Sequence, residues 1–170
     1  LSDQLDTGNT VLYRAVFETC GLFDEQFEGM RMGDGEFGLR VYKSGILSIS
    51  NPDAKRIHLK VKHGGLRQLG SWDALRPTNI FKPRPIPSVL YLAYLHFGKS
   101  VALCYLLTSV PFSLSPYIWK DTLKGSILSL FLFVLLFPVV ILQVFVSWVM
   151  ASALIKEGPK VSPLFTLEME

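Results

Sequence analysis

Residues 127–155 run for 29 positions without a charged side chain, and Ser129, Pro138, Gln143, Ser147 and Ser152 are the main interruptions in an otherwise apolar stretch. As a helix, at about 1.5 Å per residue, this exceeds a hydrocarbon core of ~30 Å. The run predicts a transmembrane helix that tolerates a kink at Pro138. Lys120 and Lys124 flank one end and Lys156 and Lys160 the other, so the basic flanks of this span alone do not orient it.

A second apolar segment, 89–112, is long enough to span, but His96 and Lys99 sit near its middle, where a charge costs about 3 kcal/mol. It can pair with the first span as a hairpin or lie at the interface as an amphipathic helix, and the two polar residues favour the interface. A hairpin would bring Arg76, Lys82, Arg84, Lys156 and Lys160 to one cytoplasmic side. Pro77, Pro83, Pro85 and Pro87 make 77–87 a stiff, extended connector. The layout expected is a soluble region over 1–76, the connector, an interfacial or transmembrane helix over 88–112, the transmembrane helix over 127–155 and a polar tail over 156–170. The apolar half accounts for a mean hydropathy of +0.34.

The net charge of +3 is too small to argue for nucleic acid as a partner. Its distribution says more: Lys55, Arg56, Lys60, Lys62, Arg67, Arg76, Lys82 and Arg84 are opposed only by Asp73. Such a stretch attracts phosphates or acidic lipid headgroups, and equally suits a solvated face beside a membrane. Cys20 and Cys104 are the only cysteines, which points to a reducing, cytoplasmic setting and not to a disulfide framework. The chain opens on Leu1 without a charged and then apolar leader and reads as a piece of a longer protein.

The soluble region consists of short, well-punctuated elements. A strand is expected over 9–14, a helix over 15–20 stopped by Gly21, a helix over 34–44 stopped by Gly45, and strands over 46–50 and 55–61. In Gly33-Asp34-Gly35-Glu36-Phe37-Gly38-Leu39-Arg40, two carboxylates open a helix, where backbone amides and the helix dipole favour negative charge. A carboxylate held in a cleft can take a proton from an attacking alcohol. The same pattern also suits an ordinary cap, with Asp34 as the N-cap and Glu36 as a first-turn acid. Arg67, in the Gly-rich stretch 64–68, could close over a diphosphate.

Gly8-Asn9, Arg14, Gly21-Leu22-Phe23-Asp24-Glu25-Gln26-Phe27-Glu28-Gly29, Asp34-Gly35-Glu36-Phe37-Gly38-Leu39-Arg40, Gly45 and His58 occur in an order that resembles the second half of family 2 glycosyltransferases. The likeness is nearest to the galactosyltransferase-like carboxyl-terminal module and covers residues 7–63. It implies an α/β fold: the carboxyl-terminal half of a GT-A, Rossmann-like nucleotide-sugar transferase, followed here by transmembrane or interfacial helices. It implies Asp34 as the catalytic base, Glu36 and Arg40 as acceptor-binding residues, and His58 as a ligand to a divalent Mn or Mg ion. The Glu that usually precedes the base is Gly33 in this chain.

No Asp-X-Asp occurs in the sequence, so the donor half of such a site would come from residues outside this chain or from another polypeptide. The function expected is inverting transfer from a nucleotide sugar to a glycan or lipid-linked acceptor at a membrane, with the soluble region cytoplasmic. The alternative is a non-catalytic, membrane-anchored adaptor.

Overall fold

A computed structural model describes residues 10–51, 53–54, 82–114 and 123–164. Five α-helices occur among them: α1 (Arg14–Cys20), α2 (Gly33–Lys43), α3 (Pro87–Phe97), α4 (Lys99–Leu114) and α5 (Leu123–Glu157), with a 3-10 turn at Glu25–Phe27 between the first two. The chain divides into two compact units, Leu1–Gly70 with Pro159–Glu170, and Ser71–Gly158.

In the first unit, α1 has only seven residues and no side-chain cap at Tyr13, so its stability must come from packing. Val16 and Cys20 on α1 meet Phe37 and Val41 on α2, and Leu12, Phe17 and Ile46 close around them. Phe37 is fully buried, with its ring centroid 5.3 Å from Phe17 and 4.5 Å from Phe23, both stacked. Gly21 ends α1 at φ 76, a conformation that disfavours a side chain, and Gly45 follows α2 at φ 78.

The expected α/β sheet is not found among the described residues, which are mostly helical. Among the described residues there is no strand, only an isolated antiparallel bridge between Asp24 and Val161. The segment 46–50 does alternate, with Leu47 and Ile49 exposed and Ile46 turned to the core, but no strand lies beside it among the described residues. Residues 10–13 behave alike: Val11 and Tyr13 are exposed and Leu12 packs inward. Alternation sets the face of an extended segment, whereas a strand also needs a ladder partner. The strand expected over 55–61 lies outside the described residues. A second departure concerns the tail, since residues 159–164 belong to the first unit and pair with its 22–25 loop.

In the second unit, the apolar stretch 89–112 is two helices and not one. Gly98, at φ 89, ends α3, and α4 starts at the next residue. Leu90 and Leu106, eight residues either side of Gly98, share one buried cluster with Ala151 of α5, so α3 and α4 fold back on each other. Arg84 donates its backbone N–H to Gln143 O at 3.2 Å, Ser147 Oγ donates to Pro85 O, and Leu90 meets Ala151. Both numbers rise together in these pairs, so α3 runs in the same sense as α5. His96 and Lys99 therefore flank the turn at the tip of a hairpin, not the middle of a span.

Residues 130–157 of α5 are long and apolar enough to cross a membrane. The polar Gln143 and Ser147 are buried with Val140 and Ala151, while Leu130, Phe131, Leu142 and Phe145 face outward. Polar groups turned to the inside of a helical bundle and large apolar ones to the outside is the order a lipid solvent imposes.

Phe37→Ala should lower the stability of the first unit by about 3–5 kcal/mol, the usual cost of emptying a buried aromatic site, seen as a fall in melting temperature in detergent.

Candidate functional site

The site begins with how α2 starts. Met32, its N-cap residue, lies in the left-handed region at φ 77, ψ 9 and supplies no side-chain cap. A non-glycine residue there costs about 1–3 kcal/mol, a strain found often at functional loops. Met32 O accepts the Glu36 N–H at 2.8 Å, closing the first turn of the helix. Gly33 follows, and a Cβ at that position would come within 3.2 Å of Phe27 Cβ. The glutamate expected here from the family resemblance would therefore have to displace Phe27.

Asp34 and Glu36, both in the first turn of α2, have opposite surroundings. Asp34 is exposed, and its Oδ1 accepts the neighbouring Gly35 N–H at 2.8 Å. It is not the N-cap, because that position is taken by Met32. Glu36 is buried, and both carboxylate oxygens are held by Arg40, Nε to Oε1 at 3.0 Å and Nη2 to Oε2 at 2.9 Å. Arg40 also donates Nη1 to the Cys20 carbonyl and lies 5.2 Å from the Phe37 ring centroid. The last turn of α1 is thereby tied to the first turns of α2, beside the exposed Asp34.

Asp34, Glu36 and Arg40 lie on one helix, and the structure separates their environments. The carboxylate facing solvent is Asp34; Glu36 and Arg40 are partners of each other. His58 and Arg67 lie outside the described residues. Among the described residues no three His, Cys, Asp or Glu side chains come together to hold a cation.

Two residues escaped sequence reasoning. Asp24, buried, accepts the Gln26 N–H at 3.0 Å as cap of the 3-10 turn and the Lys160 N–H at 2.9 Å from the far end of the chain. The first role was legible, since an Asp ahead of a short turn is a capping signal; the second depends on a partner 136 residues away. Met32 carried no signal, because its conformation is set by the turn around it.

No protein-family model, curated protein or solved structure matches the chain.

Arg40→Met should cost about 3–5 kcal/mol, because it leaves the buried Glu36 carboxylate without its counter-charge. Adding Glu36→Leu should recover most of that loss in the same melting experiment, since an apolar pair of similar volume removes the stranded charge.

Proposed function

We propose that this chain supplies the acceptor side of a membrane-bound glycosyltransferase, with Asp34 as the general base. The observation that carries the reading is the contrast within one helical turn: Glu36 is committed to Arg40, whereas the Asp34 carboxylate stands exposed at the amino end of α2. An acid placed there can accept a proton from an incoming hydroxyl group. The order of motifs that resembles the family 2 enzymes supports the same residue.

In the step assigned to it, the acceptor hydroxyl loses its proton to Asp34 as its oxygen attacks the anomeric carbon of the sugar. The bond from that carbon to the nucleotide diphosphate breaks, and the electron pair leaves with the phosphate oxygen. A single displacement of this kind inverts the anomeric centre. The Glu36–Arg40 pair holds the opening of α2 against α1 and so fixes where Asp34 points. Residues outside the described part of the chain, or another polypeptide, bind the nucleotide sugar.

The membrane helix has a use in this scheme. Tethering the base beside a lipid-linked or nascent surface glycan raises the local acceptor concentration without any new contact. The basic stretch 55–76 together with Lys156 and Lys160 fits a cytoplasmic location for the soluble unit; Arg84 is not counted with them, because it is buried and its backbone pairs with Gln143, midway along α5.

The second reading, a membrane-anchored adaptor without chemistry, is favoured by the lack, among the described residues, of any group of three His, Cys, Asp or Glu side chains. One variant separates the two. Asp34→Asn is nearly isosteric and exposed, so the fold should persist while sugar transfer to acceptor, followed with radiolabelled nucleotide sugars and membranes holding the donor-binding part, falls about 1,000-fold, within the range general-base loss produces. Unchanged transfer would remove Asp34 from the chemistry and leave the adaptor.

A further inference from the structure

The carboxyl-terminal residues beyond α5 are built into the first unit by several contacts. Leu22 N–H donates to Ser162 O at 2.8 Å, Glu25 N–H donates to Lys160 O at 3.1 Å, and Lys160 N–H donates to Asp24 Oδ1 at 2.9 Å. Ser162 Oγ lies 3.4 Å from Glu25 Oε1. A Cβ on Gly21 would stand 2.6 Å from Val161 Cγ1, so the loop is shaped to admit that side chain. Asp24 is buried beneath the pairing and accepts amide protons from both segments. This is a clasp between residues 22–25 and 160–162.

The clasp constrains how the chain meets a membrane. α5 ends at Glu157, and only Gly158 and Pro159 separate it from Lys160, which is already bonded to Asp24 and Glu25. Two residues span at most about 7 Å, far less than a bilayer. The carboxyl end of α5 therefore emerges on whichever side carries residues 10–54. A chain that leaves that side after residue 54 and is back on it at residue 158 crosses an even number of times.

We infer that the chain crosses the membrane twice, with α5 as the return crossing and the outward crossing beginning in α4. Residues 100–119 hold no Asp, Glu, Lys or Arg, a charge-free run of about the 20 residues that a crossing requires, and α4 supplies its first part. The break at Gly98 removes the objection to this crossing, because His96 and Lys99 flank a turn and do not have to enter the bilayer centre. α3 runs in the same sense as α5, which puts that turn toward the carboxyl end of α5, beside Lys156. Lys99, Lys156 and Lys160 then share the side of residues 10–54, and Lys124 at the start of α5 lies on the other. The inference rests on α5 crossing a membrane and on the clasp, and is independent of the chemistry assigned to Asp34.

Single cysteines at Glu28, Lys124 and Lys160, each placed in the full chain with Cys20→Ala and Cys104→Ala, test it with a membrane-impermeant maleimide on right-side-out and inverted vesicles. Glu28→Cys and Lys160→Cys should label together in one orientation, and Lys124→Cys at least about tenfold better in the other. Lys124→Cys labelling with Glu28→Cys, and Lys160→Cys apart from both, would mean a single crossing and would overturn the inference. Amide hydrogen exchange on the unsubstituted chain in lipid nanodiscs gives a second reading that no variant can spoil. Peptides covering 20–27 and 159–164 should both be protected, and rapid exchange in both would dispose of the clasp and of the topology drawn from it.

Discussion

Arg40 is the side chain on which the order of the first unit turns. Its guanidinium grips both oxygens of Glu36, reaches the carbonyl that ends α1, and lies over the buried Phe37 ring. A neutral residue could fill the same space but could not donate to both carboxylate oxygens and the carbonyl together, which is what the fork of a guanidinium offers and an ammonium does not. The pair is nearly closed to water on the carboxylate side, with 2 % of the Glu36 side chain exposed against 18 % for Arg40. In such a place the pair does more to fix one arrangement than to add net stability. The arrangement it fixes is the angle between two short helices, neither of which would hold its shape alone.

The acid next along the helix gains its freedom from this commitment. Two carboxylates in a single turn repel each other when both are free in solvent; here one is neutralised by its neighbour four residues on and the other is left to face outward. The strained Met32 and the close approach of Gly33 to Phe27 set the start of the helix in a place ordinary capping would not choose. A side chain oxygen at the N-cap would have satisfied the first amides and blunted the exposed end.

Much of this was legible in the sequence, and the reasons for the rest are specific. The helix bounds could be read because Gly21 and Gly45 punctuate them and because Phe37 and Val41 are spaced by one turn. The long apolar run announced α5. The sheet could not be judged from 46–50 alone, since alternation records which side of a segment is covered and says nothing of whether another segment lies beside it. The division of 89–112 at Gly98 was also hidden: both helices are apolar on most sides, so no change of period marks the break. The site was half legible. Residue types placed Asp34, Glu36 and Arg40 on a common helix, but the commitment of Glu36 depends on burial, which follows from how α1 packs and not from the motif.

The docking of 160–162 against 22–25 has a practical corollary for anyone preparing the first unit by itself. Cutting the gene after residue 54 would discard a piece of that unit, because its last segment is encoded after α3, α4 and α5. Leu22 and Glu25 would lose the acceptors for their amides, and Asp24 one of its donors. A better design excises the intervening helices and splices 159–164 back through a flexible Gly-Ser bridge, restoring in a single short polypeptide a pairing that nature assembles from two distant stretches of the gene.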